Sequence, residues 1–248
     1  MPWARASALH RHIDCPGASW LPRLDRGIWK PGYLAEGVFV SPPLPTEKDD
    51  TTAADWGTAM HAAKALAPEA CDPWLSAVDP YRDEEYPPHL GVHEQSVAYD
   101  CRTRRVFLGP TNVSAEEAGA WKDSQGPDCI TGTCDWWATL PTGIPWVDDL
   151  KTGWRTPEVV TPQTLFYLLL RCRVAKANEG YISITHWPQR AERPTREGLW
   201  RHVTYVALDA FEDEVCAAWV KATRGPEVRP GPSCQYCPSA RVCDKAFQ

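Results

Sequence analysis

The sequence lacks any long apolar run. No stretch of its 248 residues approaches the roughly 18 apolar residues of a membrane span, and the opening residues MPWARASALHRHIDCP contain no apolar signal core. These absences predict a cytoplasmic protein without membrane contact, whose ten cysteines are mostly reduced. Reduced cysteines in a close cluster indicate metal binding more than disulfides. A Walker A pattern is also missing, which excludes a helicase motor of that type.

An overall positive charge is missing too. The net charge of −6 argues against a partner held by bulk positive charge. The distribution is uneven, with a local net charge of −10 over 31–100, +3 over 1–30 and +4 over 171–201. A polyanion can follow the two basic regions if they lie on one face. The alternative is an ordinary solvated surface.

Strand and helix patterns are mixed along the chain, which predicts a single α/β domain with helices on both faces of its sheet. Ser7 is predicted to cap the first helix, and Asp209 with Glu212 to form a capping box at the last. The predicted helices cover 7–14, 54–67, 161–177 and 209–224. The predicted strands cover 91–99, 104–109, 128–140, 144–153, 180–187 and 201–208.

The stretch VDDLKTG carries the most chemical information. Asp149 and Lys151 are two residues apart in a strand and project from one face, whereas Asp148 is expected to face away. A carboxylate beside an ammonium suits phosphodiester hydrolysis. The carboxylate can hold a divalent cation, and the lysine can stabilise an attacking hydroxide or the developing negative charge. The alternative is a surface ion pair, because D-x-K arises often by chance.

Two neighbouring patterns favour the catalytic interpretation. The preceding strand carries G-x-x-D, from Gly132 to Asp135, and a hairpin would bring Asp135 near Asp149 to surround a hard cation. The helix predicted before the sheet carries G-x-x-x-H. There Gly57 would allow close approach to the sheet and His61 would point toward the carboxylates.

A third pattern, Q-x-x-x-Y, follows the D-x-K strand. Gln163 and Tyr167 share one face of the helix predicted at 161–177. A glutamine and a tyrosine can bind a phosphate or orient Lys151. The alternative is a polar rim on an amphipathic helix.

The order of these patterns is G-x-x-x-H, a strand glutamate, G-x-x-D, D-x-K and Q-x-x-x-Y. It resembles the RecB-like branch of the PD-(D/E)XK nuclease superfamily. The segment SALHRHIDCP is similar to that branch as well, where a short helix runs into a Cys-Pro pair. The resemblance extends over 7–243 and implies a restriction-endonuclease-like core at 54–224, with a mixed central sheet flanked by helices. The Pro-Asp pair of the superfamily name is absent, as is common in this branch.

The resemblance implies a metal-dependent DNA exonuclease acting on single-stranded DNA or DNA ends in recombination, repair or CRISPR-type processing. It is most similar to stand-alone CRISPR-associated exonucleases and their phage relatives, and so to a bacterial or phage-encoded protein. It implies that Mg²⁺ or Mn²⁺ is held by His61, Asp135, Asp149 and the backbone carbonyl of Leu150. The other implied catalytic residues are Lys151, Gln163, Tyr167 and Glu94, although nothing in the sequence fixes the register of Glu94.

Three cysteines at C-x2-C-x5-C spacing, within SCQYCPSARVC, are one ligand short of four. The resemblance supplies the fourth from the first helix and implies a [4Fe-4S] cluster that joins 1–30 to 225–248. The alternative is structural zinc, as in a plain zinc-ribbon adaptor. The implied ligands are Cys15, Cys234, Cys237 and Cys243.

DNA is the expected partner. The candidate DNA-binding residues of the second basic region are Arg171, Arg173, Arg190, Arg193 and Arg196. The candidates for stacking on unpaired bases near the site are Trp136, Trp137, Trp154 and Trp187. The alternative functions are a structure-specific endonuclease and a DNA-end-binding subunit that delivers DNA to an integrase or a strand-annealing recombinase.

Overall fold

The computed structural model describes residues 3–21, 23–25, 28–30, 91–188, 195, 198–224, 227–240, 243 and 245. Several sequence predictions fall outside this part of the chain. They concern the helix at 54–67 with Gly57 and His61, and the arginines Arg190, Arg193 and Arg196.

A mostly antiparallel seven-stranded sheet forms the centre of the fold, in the order β5-β4-β6-β7-β8-β9, with β1 also paired to β6. The pairs β1–β6 and β7–β8 are parallel, whereas β2 and β3 form a separate antiparallel pair. The strands are β1 (Ala4–Arg5), β2 (Arg23–Asp25), β3 (Ile28–Lys30), β4 (Val92–Asp100), β5 (Arg105–Leu108), β6 (Cys129–Thr139), β7 (Pro145–Lys151), β8 (Glu179–His186) and β9 (Trp200–Thr204).

Four α-helices are described: α1 (Leu9–Asp14), α2 (Ala115–Ser124), α3 (Pro162–Ala175) and α4 (Tyr205–Arg224). Helix α3 begins where the sequence indicates, because Pro162 occupies its first turn and the Thr161 side chain accepts a hydrogen bond from the Thr164 N–H. Helix α2 begins at a capping box formed by Ser114 and Glu117. None of the described helices is long and apolar enough to cross a membrane.

The main core lies on the sheet face covered by α1, α3 and α4. It includes Leu9 of α1, Phe166 of α3 and Phe211 of α4, packed with Ile182 and Ile184 of β8. A smaller apolar cluster lies on the opposite face and consists of Trp136, Ala138, Leu140 and Trp146. Strand β7 is buried along both faces up to Leu150, although its sequence PWVDDLK carries two aspartates inside the strand.

Three local predictions differ from the structure. The strand predicted at 201–208 is wrong in its second half, because β9 ends at Thr204 and α4 begins at Tyr205. Asp209 and Glu212 therefore lie inside a helix rather than at its cap. Ser7 lies in a 3₁₀ turn before α1, whose N-cap position is Ala8.

Glu212 has a structural reason to be in the middle of α4. Its side chain is 1% exposed; it accepts a hydrogen bond from the Tyr99 hydroxyl at 2.5 Å and forms ion pairs with Arg173 and, at 3.4 Å, with Arg104. These contacts join α4 to α3 and to β4 with its following turn. A buried carboxylate needs such partners because its desolvation is otherwise unfavourable.

Glu212→Ala is expected to lower the free energy of unfolding by about 3 kcal/mol, because it leaves the buried Tyr99 hydroxyl and two arginines without their shared acceptor. Urea denaturation measures this change. The matched control is Asp213→Ala, which removes an exposed carboxylate 2.8 Å from Arg104 and is expected to cost at most about 1 kcal/mol. Equal losses in the two variants would show that the Glu212 contacts are not a structural anchor.

Candidate active site

The site lies where β6 and β7 separate. Their pairing runs from Thr139 to Trp136, and one further step in the same register places Asp135 opposite Asp149. At this point the Asp135 carboxylate accepts a hydrogen bond from the Leu150 N–H at 2.6 Å. The Asp135 side chain thus takes the place of a strand carbonyl as the acceptor for the Leu150 N–H where the two strands separate. The Asp135 and Asp149 carboxylates are brought together at this point.

Asp149 is 3% exposed, and its environment resists ionisation. Burial and, to a smaller extent, the nearby Asp135 carboxylate raise its pKa while Lys151 lowers it, and together these effects bring the pKa to about 6. Ionisation of Asp149 is therefore less favourable in the protein than in water. A cation bound between the two carboxylates would remove that cost, so the site is suited electrostatically to a positive ion.

Lys151 is held by two neighbours. Its Nζ forms an ion pair with Asp149 and donates a hydrogen bond to Gln163 Oε1 at 3.3 Å. The Lys151 side chain is 36% exposed whereas that of Asp149 is 4% exposed. The Lys151 side chain is thus more accessible to solvent than the carboxylate with which it pairs.

Gln163 connects the remaining polar groups of α3 to the site. Its Nε2 donates to Asp149 Oδ1 at 3.3 Å and lies 3.5 Å from the Tyr167 hydroxyl. Burial raises the pKa of Tyr167 well above its ordinary value, so Tyr167 is a neutral phenol at physiological pH. The structure therefore brings the Q-x-x-x-Y motif to the D-x-K motif.

Asp148 lies on the opposite face of β7. Its carboxylate accepts hydrogen bonds from Ser183 Oγ at 2.5 Å and Thr185 Oγ1 at 2.7 Å. Strand alternation separates it from Asp149, as the sequence indicates. Asp148 thus serves the packing of β7 against β8.

The structure gives the pairing position of Glu94 in the sheet, which could not be predicted from the sequence. Its neighbours pair with residues 136 and 134 of β6, which leaves Glu94 opposite Asp135. Its φ of 46° is in the left-handed region, which is uncommon for a residue with a side chain and is found at functional sites more often than elsewhere.

Lys122 of α2 lies beside Glu94, and sequence reasoning missed it. Its Nζ donates to Thr133 Oγ1 at 2.9 Å. Burial lowers the pKa of Lys122, and the nearby Glu94 opposes that shift. The only signal for it was the capping box of α2, since the helix itself was not predicted.

Two of the predicted DNA-binding arginines have partners inside the protein. Arg171 donates to Thr139 Oγ1 at 2.7 Å and stacks over the Trp137 ring at 5.0 Å, and Arg173 pairs with the buried Glu212. The fold therefore explains both residues, and their contact with DNA stays a prediction.

The four candidate stacking tryptophans differ in exposure. Trp136 is 4% and Trp137 is 1% exposed, so both belong to the packed interior. Trp187 is half-buried. Trp154, three residues after Lys151, is 56% exposed and is thus the candidate among the four that can meet a ligand from solvent.

The four predicted cluster cysteines line one cavity, together with Arg11, Arg229, Lys245 and other residues. The set is Cys15, Cys234, Cys237 and Cys243. Burial raises the pKa of the Cys15 thiol, and the nearby Cys237 and Cys243 act in the same direction.

Backbone groups also approach these sulfurs. The N–H of Arg229 donates to Cys15 Sγ, and the N–H of Gly231 donates to Cys234 Sγ, each at 3.3 Å. The two regions are joined independently of the cysteines, because the Gly17 N–H donates to the Glu227 carbonyl at 2.8 Å.

The geometry of the described residues does not by itself assign a metal to the carboxylate site or to the four cysteines. Within the described part of the chain, no group of three or more His, Cys, Asp or Glu side chains is arranged to hold a metal ion. At the carboxylate site, the predicted third ligand, His61, lies outside that part of the chain. The iron–sulfur cluster implied by the resemblance is therefore not supported by the structure itself.

The comparisons with known proteins differ in strength. No curated protein matches the chain. The chain is similar to a solved structure described as "Crystal structure of SSO0001", at 14% sequence identity and a TM-score of 0.40, covering 78% of this chain and 71% of the other. A likeness at this TM-score carries no argument about the fold.

The family comparison is stronger. A family model described as PD-(D/E)XK nuclease superfamily matches residues 6–244, which is nearly the whole chain and includes both carboxylates, the lysine and the four cysteines. Members of this superfamily are nucleases that use divalent metal ions such as Mg²⁺ or Mn²⁺. The chain belongs to the PD-(D/E)XK nuclease superfamily.

Proposed function

We propose that this chain is a metal-dependent DNA exonuclease of the RecB-like type, acting on single-stranded DNA or DNA ends. The observation that carries the proposal is the meeting of Asp135, Asp149 and Lys151 at the separation of β6 and β7. The ion pair alone is common on protein surfaces. A buried pair of carboxylates beside it is not, because two such charges repel unless a cation joins them.

Asp135 and Asp149 would hold Mg²⁺ or Mn²⁺, with His61 and the Leu150 carbonyl completing the ligands. Carboxylate and carbonyl oxygens suit such hard cations, and the raised pKa of Asp149 fits a carboxylate that a cation would stabilise. When bound, a divalent cation polarises a phosphodiester and lowers the pKa of water.

Lys151 would stabilise the negative charge that develops on the phosphate oxygens during hydrolysis. Its position is set by Asp149 and Gln163, which contact it from two directions. Tyr167, as a buried neutral phenol, would in turn hold Gln163. Tyr167 would thus orient Gln163, and Gln163 would orient Lys151, before the substrate binds.

The four cysteines would hold a [4Fe-4S] cluster with a structural role. Four thiols lining one cavity match the ligand set of such a cluster. A single zinc ion would need its sulfurs about 3.8 Å apart, given Zn–S bonds of about 2.3 Å. Such a zinc site remains the alternative, and the match of the C-x2-C-x5-C spacing and of the distant Cys15 to the iron–sulfur nucleases of the RecB-like branch favours the cluster.

End dependence tests the exonuclease proposal. With Mn²⁺ present, linear single-stranded DNA is expected to be consumed while the closed circular form of the same sequence stays intact, because cleavage begins at an end. Gel analysis of the two substrates measures this difference. Asp149→Ala controls for a contaminating nuclease. Comparable rates on the linear and circular forms would contradict the proposal and indicate an endonuclease.

A further inference from the structure

The exposed Trp154 lies in the segment that joins the two site-bearing elements. This segment, 152–161, begins directly after Lys151 of β7 and ends at the cap of α3, which carries Gln163. A tryptophan side chain buries a large apolar area where it packs, so 56% exposure leaves much indole surface in water. Such a ring beside a catalytic strand is a candidate ligand contact.

The segment is anchored at both ends. His186 Nε2 donates to the Gly153 carbonyl at 2.7 Å, and Thr164 Oγ1 donates to the Val159 carbonyl at 2.8 Å. The strand before it is also held, since the Trp187 N–H donates to the Lys151 carbonyl at 2.8 Å. The backbone next to Trp154 is therefore held in place, which limits the backbone entropy lost when a ligand binds.

Chain length limits the distance between Trp154 and the site. Three residues span at most about 11 Å, so the backbone of Trp154 lies within that distance of the backbone of Lys151. Arg155 follows it and is exposed. An aromatic ring next to a cation is the combination that binds single-stranded nucleic acid, with the ring on a base and the cation on a phosphate.

We infer that Trp154 stacks on an unpaired base of the substrate strand close to the scissile phosphate. This inference rests on the proposed function and assigns the substrate class of the site as single-stranded DNA. Paired bases in a duplex are already stacked on both sides and offer the indole no free face. Stacking accepts every base, so this contact selects for strandedness and carries little sequence preference.

Fluorescence anisotropy with a labelled single-stranded oligonucleotide tests the inference. Ca²⁺ replaces Mg²⁺ so that the measurement reports binding alone. Trp154→Ala is expected to weaken binding roughly ten- to hundred-fold, and Trp154→Phe to retain most of the affinity. The matched control is Trp200→Ala, which removes another exposed tryptophan, 37% exposed, on β9, and is expected to bind as the wild type does.

An abasic substrate separates stacking from a general loss of structure. Oligonucleotides carrying one abasic residue are scanned along the strand. At the position that Trp154 contacts, the wild-type protein is expected to bind as weakly as Trp154→Ala, whose own affinity no longer responds to the missing base. Wild-type affinity in Trp154→Ala, an equal response of both proteins at every abasic position, or no binding of single-stranded DNA by the wild type would overturn the inference.

The outcome is distinct from that of the proposed function. If the protein binds DNA through Trp154 but cleaves nothing with Mg²⁺ or Mn²⁺, the stacking site stands and the nuclease proposal is ruled out. If the protein degrades DNA but binds it equally tightly with and without the Trp154 indole, the nuclease proposal stands and the stacking site is ruled out.

Discussion

Asp149→Ala and Lys151→Ala are both expected to abolish DNA hydrolysis, but only Asp149→Ala is expected to weaken Mn²⁺ binding. Asp149 supplies a carboxylate to the cation, whereas Lys151 supplies positive charge at the transition state. Removing one such stabilising group lowers the rate about 10²- to 10³-fold, and loss of a metal ligand is expected to cost at least as much. Calorimetry with Mn²⁺ and a cleavage assay on the same preparations measure the two effects.

Asp148→Asn is the matched control for these variants. It changes the adjacent acidic residue of β7, whose side chain bonds Ser183 and Thr185 on the opposite face. The folded variant is expected to bind Mn²⁺ and cleave DNA as the wild type does. Equal loss of Mn²⁺ binding in Asp149→Ala and Lys151→Ala would contradict the separate roles of the two residues.

Cys15→Ala is expected to lose iron and stability together. The cluster would connect Cys15 to Cys243 across most of the sequence, and such a link stabilises a protein chiefly by restricting its unfolded chain. By analogy with disulfides that close long loops, the loss is about 4 kcal/mol, or about 10 °C in Tm for a protein of this size. Iron analysis and thermal denaturation of anaerobically purified protein measure both quantities.

The matched control is Cys172→Ala, which removes a buried cysteine of α3. It is expected to keep about four irons per chain, as a [4Fe-4S] cluster requires. Full iron content in Cys15→Ala would contradict the ligand assignment. Zinc without iron in the wild-type protein would instead indicate a structural zinc site.

The elements that carry the D-x-K and Q-x-x-x-Y motifs were predictable from sequence. Strand β7 lies within the predicted 144–153 and α3 within the predicted 161–177. Helix α3 has a long apolar run behind its capping residues, and β7 has the apolar residues Trp146 and Val147 near its start, after a turn, so local sequence and tertiary packing favour the same conformation.

Other parts of the fold depend on contacts that local patterns do not reveal. Strand β1 has two residues and forms only because β6, more than a hundred residues later, offers it an edge. The start of α4 contains Tyr205 and Val206, residues with strand preference that are exposed in the helix. Glu94 itself has a left-handed backbone conformation within β4, and no apolar pattern in the sequence indicates this.

The central claim is that the two carboxylates and the lysine hydrolyse DNA with a divalent cation. End-labelled single-stranded DNA, incubated with purified protein in Mg²⁺ or Mn²⁺ and in EDTA, tests it most directly. The account predicts progressive shortening of the DNA in the metal samples with the wild type, and none in EDTA or with Asp149→Ala. Intact DNA in every wild-type sample, or the same rate of shortening with Asp149→Ala, would contradict it.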